Sequence, residues 1–150
     1  MVISEQGLEF IKKHEGFNPN PFINKFNRVA IGYGSTHYEN GTRVRISDGP
    51  IERLHGDYLL RFYIHKYEEC VRKYATFELQ QHHFDILVSF CYSVGLGSFK
   101  SSGLLRRANE DHTDTAVALQ FVRWNKIENR FHKDLAIRRQ EEANIFFYGY

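Results

Sequence analysis

Residues 84–109 read FDILVSFCYSVGLGSFKSSGLLRRAN. Phe84, Ile86, Leu87, Val88 and Phe90 follow one another too densely for a helix with one wet face, so the segment reads as a deeply buried helix, spanning Phe77 to Val94. Gly95 and Gly97 end it, and Ser102 suits the N-cap of a shorter helix, Ser102 to Ala108. Working outward, helical spacing continues in Thr113–Trp124, where Thr113 or Asp114 can cap, and in Lys133–Phe147. Upstream, Ser47-Asp48-Gly49-Pro50 leads into a long helix from Ile51 to about Tyr74, with Leu54, Tyr58, Phe62 and Val71 expected on its apolar face.

The N-terminal third differs. Ser4 can cap a first helix that runs to His14 or Glu15, carries Leu8, Ile11 and Glu15 on one face, and meets Gly16 just past its end. From Phe17 to Ile46 helix signals lapse. Asn18-Pro19-Asn20-Pro21 reads as a loop, Phe22–Phe26 and Arg28–Tyr33 as short strands, and Asn40-Gly41 within His37–Ile46 as a hairpin turn. The expectation is a mostly helical α+β domain, residues 1–150, with a small antiparallel sheet in an N-terminal lobe (about 15–50). A helical lobe (about 75–150, plus the first helix) completes it, with the long helix as the strut and a cleft at the junction.

Composition narrows the function classes. The chain has 20 basic and 18 acidic residues, a balance of +2, and no third of it is markedly basic or acidic, so nothing marks a nucleic-acid footprint. Hydrophobic residues at 42% and charged residues at 25% are globular values and exclude a mostly disordered chain. Aromatics reach 15%, which fits either an aromatic core or a groove that stacks on flat ligands. No segment approaches the roughly 20 apolar residues of a membrane span, and MVISEQGLEFIKKHEG lacks the layout of a secretory signal. Cys70 and Cys91 stand 21 positions apart without a CxxC and are expected as free thiols. The eight His show no metal-ligand spacing, so no metal and no cofactor is expected, and His82-His83 reads as helix decoration.

Glu15 is the first residue that points to chemistry. It shares the inward face of the first helix with Leu8 and Ile11, so partial desolvation and the negative helix end should both favour its protonated form. A carboxylic acid kept neutral near physiological pH is what a general acid requires. On spacing alone the plainer reading is a surface Glu at a frayed helix end, since helix-terminal Glu is common and catalytic Glu rare.

Four ordered blocks add to that reading: ISEQGLEFIKKHEGF, AIGYGST, the segment 84–109 quoted above, and ALQFVRWNKI followed by LAIRRQEEANIFFYG. Together they resemble the phage-type lysozymes, the glycoside hydrolase family 24 endolysins, over nearly the whole chain. The resemblance implies a two-lobed lysozyme-like fold and a muramidase that cleaves the β-1,4 bond between N-acetylmuramic acid and N-acetylglucosamine in bacterial peptidoglycan. It also implies a site of the form Glu-x8-Asp-x5-Thr, in which the Glu protonates the leaving oxygen while the Asp and Thr activate a water on the opposite face of the sugar. The Glu matches Glu15, but the Asp position holds Asn24, the Thr position Ala30, and the His of the usual GYGHT motif Ser35. Asn24 cannot accept a proton and Ala30 has no hydroxyl. Glu39 and Asp48 match no catalytic position, and Asn24 precedes Lys25 rather than a Gly that would favour deamidation to Asp. Gly34, Thr36, Tyr92 and Ser102 match positions that line the family's sugar groove, while their plain readings are turn, hairpin surface, core aromatic and N-cap. Arg138 or Arg139 could reach Glu15, or both could be surface arginines.

The expected function is a muramidase scaffold with weak or absent hydrolysis. The alternatives are a non-catalytic pseudoenzyme that binds glycan or another partner, and an artificial lysozyme variant with an altered site. Cell-wall glycan is the expected partner, with no nucleic acid and no membrane insertion; the chain is expected as a monomer, synthesised in the cytoplasm. A holin-type export partner is implied by the resemblance only.

Overall fold

The Ser4 hydroxyl accepts the Gly7 N–H (3.1 Å) and donates to the Asp85 carboxylate, so the first helix starts on a cap that is itself held by a buried acid. The computed structural model describes residues 1–150. Its elements run α1 (Glu5–Glu15), β1 (Asn18–Ile23), β2 (Val29–Gly32), α2 (Arg53–Tyr74), α3 (Gln81–Val94), α4 (Leu96–Lys100), α5 (Gly103–Glu110), α6 (Ala116–Val122), β3 (Lys126–Ile127), β4 (Arg130–Phe131) and α7 (Lys133–Tyr148). The chain is mostly helical with small antiparallel sheets, as its patterning predicts.

Two compact units emerge, Met1–Phe10 with Lys66–Tyr150 and Ile11–His65, and both α1 and α2 contribute residues to each. In the larger, helical unit every residue of α3 from His83 to Cys91 is buried, and α7 and α4 pack on it. Phe90 meets Phe121 edge-on at 5.6 Å and Trp124 at 5.5 Å, and Phe84, Phe99 and Phe146 are also wholly buried, so part of the aromatic excess is core. Cys70 and Cys91 are free and buried. In the smaller, sheet unit Ile31, Val44 and Leu59 form the core, covered by Val29, Tyr38 and Ile51.

Several expectations change in physically informative ways. Of the four residues expected on the apolar face of α2, Val71 is buried, but Leu54, Tyr58 and Phe62 are 78%, 51% and 44% exposed, and Leu59, Leu60 and Ile64 are buried in their place. The two sets are rival stripes of one helix, and Glu68, which helps close the buried stripe by accepting the Ile3 N–H (2.7 Å), hides it from an apolar count. Residues 18–21, expected as loop, belong to β1. Pairing is regular only at Phe22↔Ala30 and Ile23↔Val29 beyond an irregular stretch after Asn18↔Gly32, and that stretch accommodates Pro19 and Pro21. Asn40-Gly41 makes a turn closed by Tyr38 N–H to Thr42 O (2.9 Å), but only a single bridge, His37↔Arg43, flanks it. The β3–β4 hairpin turns on Glu128 and Asn129, both at positive φ (49° and 62°), without the Asn-Gly signature that would have advertised it.

Buried charge in the helical unit is organised around α7. Arg138 and Arg139, 2% and 1% exposed, are not surface residues. Both converge on Glu142, which is fully buried: Arg138 Nε lies 3.1 Å from Oε1, Arg139 Nη1 bonds Oε2, and Ser89 Oγ donates to Oε1 at 2.8 Å. Arg139 also reaches Ser93 Oγ (2.6 Å) and the Trp124 carbonyl (3.0 Å). Removing the acid leaves two guanidinium groups in a dry site. Glu142→Ala should therefore destabilise by about 3–5 kcal/mol in urea unfolding, and a loss below about 1 kcal/mol would contradict this account.

His83, expected as decoration, is buried against Phe146 (4.7 Å) and Phe77 (5.7 Å). Its Nδ1 accepts the Gln80 N–H (3.2 Å), completing a capping box at the start of α3. Burial first, then the neighbouring His82 and His112, push its pKa down to about 4. The unfolded chain binds a proton near the ordinary value of about 6.5, so stability should fall as pH drops from about 6.5 towards 4. His83→Gln keeps an acceptor at the capping position and should flatten that decline; an unchanged slope would show that the acid sensitivity lies elsewhere.

Candidate active site

α1 ends at Glu15 because Gly16 follows with φ +69°, a left-handed conformation that glycine adopts freely. Gly16 N–H closes the last turn on the Lys12 carbonyl (2.9 Å), which fixes where the Glu15 side chain leaves the helix, half-buried. Two residues later β1 begins, and its partner β2 returns so that Gly32 lies opposite Asn18.

Gly32 is where this hairpin meets α2. A Cβ on Gly32 would stand 3.2 Å from the Gly56 Cα, and one on Gly56 would stand 2.7 Å from Phe17 Cε2. Strand and helix therefore approach backbone to backbone, with the Phe17 ring filling the adjoining space. The Phe17 ring lies 5.4 Å from Tyr33, and the Arg53 guanidinium lies 4.6 Å over its face. Beneath the same end of α1, Asp57 takes Lys12 and Arg61 as partners. Burial raises the Asp57 pKa, but the hydrogen bonds and charges of Lys12 and Arg61 outweigh it and hold the carboxyl below its ordinary range. Sequence reading missed Lys12, Phe17, Arg53 and Asp57 as positioning residues. The one signal for them was a glycine, Gly56, within the first turn of a helix.

At the far end of the hairpin stands Asn24. Its Oδ1 accepts the N–H groups of Phe26 (2.9 Å) and Arg28 (3.0 Å), while its own N–H donates to the Arg28 carbonyl (2.8 Å). The side chain thus closes the turn from β1 to β2 through the oxygen that Asn shares with Asp. Ala30, in β2, is 0% exposed.

Gly34 takes φ +96° in the tight turn whose Ile31 N–H and carbonyl bond the carbonyl and N–H of Ser35 (2.9 and 3.0 Å), and Ser35 is buried. Thr36 Oγ1 lies 2.9 Å from His37 Nδ1. Glu15, Asn24, Ala30, Gly34 and Thr36 therefore all belong to the sheet unit, whereas Tyr92 and Ser102 belong to the helical one. Tyr92 is half-buried and meets the Tyr67 ring edge-on at 5.1 Å. Ser102 is 4% exposed; its hydroxyl donates to Phe99 O (2.7 Å) and accepts the Leu105 N–H (3.1 Å), so it caps α5. Glu39 and Asp48 are engaged too. Glu39 bonds His55 Nε2 at 3.0 Å, and Asp48 accepts the Tyr38 hydroxyl and the Arg45 N–H, both at 2.8 Å. Burial, followed by that bond and charge, raises the Tyr38 pKa to about 12.

The family described as phage lysozyme matches residues 12–142. Over 151 aligned residues the chain is 35% identical to the endolysin of Bacillus phage PZA, an alignment covering 99% of this chain and 56% of that one. It thus spans little more than half the length of this relative. Among solved structures, it is similar to an endolysin from Escherichia coli O157:H7 phage FAHEc1 (TM-score 0.89, 25% identity, 100% and 96% of the two chains). It is likewise similar to the muramidase domain of SpmX from Asticaccaulis excentricus (TM-score 0.82, 30% identity, 98% and 97%).

The close approach of Gly32 and Gly56 gives a test of what holds this site. Gly56→Ala gains helix propensity of about 1 kcal/mol. Its new Cβ must nevertheless displace the Phe17 ring, and overpacking of this kind costs about 1–3 kcal/mol. The variant should unfold at lower urea concentration than the parent; a gain in stability would show that Phe17 yields freely.

Proposed function

Because the chain belongs to the phage lysozyme family, we propose that it is a muramidase scaffold that binds the glycan of bacterial peptidoglycan and hydrolyses it weakly or not at all. Glu15 is the retained general acid. Asn24 and Ala30 stand where the family's water-activating Asp and Thr are expected.

The observation that carries the reading is the Asn24 side chain. Its only oxygen accepts two backbone N–H groups within its own turn, and its other terminal atom is an amide nitrogen, which cannot take a proton from water. A positioned base contributes about 10²–10⁴ in rate, so its loss removes roughly 3–5 kcal/mol of barrier lowering. The nearby acids Glu39 and Asp48 already have partners of their own, which argues against either as a substitute. Ala30 adds no hydroxyl to orient a water.

Peptidoglycan is then the partner, and no cofactor is required for acid–base glycoside hydrolysis. No helix of the chain is long and apolar enough to cross a membrane. The chain acts as a monomer after synthesis in the cytoplasm, and a holin-type partner gives it access to the wall. Thr36 and Tyr92 remain the groove residues of choice. Ser102 is the weakest of them, since its hydroxyl is already committed at both donor and acceptor.

The test is release of reducing ends from purified peptidoglycan by the parent chain and by Glu15→Gln, beside an active endolysin at equal concentration. Sedimentation with insoluble wall should show binding by both forms. Turnover should fall at least about 10²-fold below that of the active endolysin, by the worth of the missing base. Turnover equal to that of the active endolysin and abolished by Glu15→Gln would overturn the reading.

A further inference from the structure

The sheet unit contains a cavity of about 400 Å³ whose lining includes Asn27, Arg28, Thr36, His37 and Arg43, together with apolar Val29 and Val44. No acidic residue lines it. Several arginines of the molecule sit beside acids, among them Arg61 on Asp57, Arg107 on Asp114, and Arg138 and Arg139 on Glu142, while others such as Arg106 and Arg130 do not. Arg28 and Arg43 have no such partner. Three acids of this unit are turned to other groups, Glu39 to His55, Asp48 to Tyr38 and Arg45, and Asp57 to Lys12 and Arg61.

We propose that this cavity is an oxyanion site, in which Arg28 and Arg43 clamp a carboxylate or phosphate group and the Thr36–His37 pair supplies a further donor. Two guanidinium groups beside one small space repel each other, and an anion between them converts that repulsion into charge-assisted, bidentate hydrogen bonds. The third donor does not depend on the tautomer. If Thr36 donates to His37 Nδ1, the Nε2–H is left to donate; if Nδ1–H donates to Thr36, the hydroxyl hydrogen is left. The backbone holds both arginines in place. Arg28 is bonded through its N–H and carbonyl to Asn24, and Arg43 pairs with His37 across the Asn40-Gly41 turn. The volume exceeds that of a bare ion, so the anion is carried on a larger group, with Val29 and Val44 receiving its apolar part. That this group belongs to the cell-wall polymer rests on the proposed function; the anion chemistry itself does not. Wall polymers offer such oxyanions as carboxylates on peptide stems and as phosphodiesters in polyol-phosphate chains.

Amide chemical-shift titration of the full chain tests this. The probes are inorganic phosphate, a stem-bearing glycan fragment, a polyol-phosphate oligomer, and an uncharged chitooligosaccharide. Saturable shifts at residues 27–29, 36–37 and 43–44 are expected with phosphate and, at lower concentration, with one of the two anionic fragments; which one responds identifies the source. Chitooligosaccharide should leave residues 27–29 and 43–44 unmoved, and residues 36–37, which adjoin the proposed sugar groove, are compared only between the anionic probes. In Arg28→Gln/Arg43→Gln, whose replaced side chains are exposed, binding should weaken about tenfold or more while resonances outside the cavity keep their positions. Absence of saturable shifts at these residues with both anionic fragments, or equal affinity in the double variant, would overturn the proposal. Hydrolysis of uncharged glycan is measured separately and depends on Glu15, so failure of either reading is visible without the other.

Discussion

The close approach of Gly32 to Gly56 is the constraint on which the sheet unit depends. A Cβ on Gly32 would stand 3.2 Å from the Gly56 backbone, tighter than an ordinary contact, and Gly32 takes φ +65°, so glycine suits the place where β2 lies against α2. That contact places Phe17 between Gly56, Tyr33 and the Arg53 guanidinium, and so fixes the two residues that connect the end of α1 to the start of β1. Glu15 inherits its position from this arrangement together with Lys12 and Asp57 in the last turn below it. None of these groups does chemistry. Their effect is to hold an acid at a helix end whose direction is set by a left-handed glycine.

Charge is handled differently in the two units. The helical unit buries Glu142 with two arginines and two serines close by, so that each buried charge has several partners and its desolvation is offset. The sheet unit leaves Arg28 and Arg43 without acids and, on the proposed reading, carries Asn24 at the position of the family's carboxylate. On the proposed readings, the first favours an anionic ligand and the second removes the group that would deprotonate water. An Asp in place of Asn24 could keep one oxygen on the turn and present the other, so closing the turn does not by itself require the amide.

Much of the fold could be read directly from periodicity. The dense apolar run of Phe84 to Phe90 identifies the buried α3, and α7 begins at Lys133, where the pattern places it. What periodicity misjudges has a common cause: polar residues with buried partners and glycines with close neighbours carry no hydrophobic signal. Leu54, Tyr58 and Phe62 look like the core stripe of α2, yet the buried stripe includes Glu68. Arg138 and Arg139 look like surface cations, yet they are covered by their pairing with Glu142. In the candidate site, resemblance picks out Glu15, Asn24 and Ala30 by number, but not that Asn24 Oδ1 closes a turn or that Ala30 is wholly covered. Those are properties of backbone geometry, which a residue's identity leaves open.

Ala30 and Asn24 differ as points of repair. Ala30 has no exposure, so a threonine there adds a buried hydroxyl and methyl, and overpacking of this kind costs about 1–3 kcal/mol where the neighbours are close. Asn24 can be exchanged for its isostere without any change of shape. The most direct measurement is therefore kcat/KM for reducing-end release from peptidoglycan by Asn24→Asp against the parent chain. A restored base should raise it by about 10²-fold or more, whereas equal values would show that the missing carboxylate is not what limits this site.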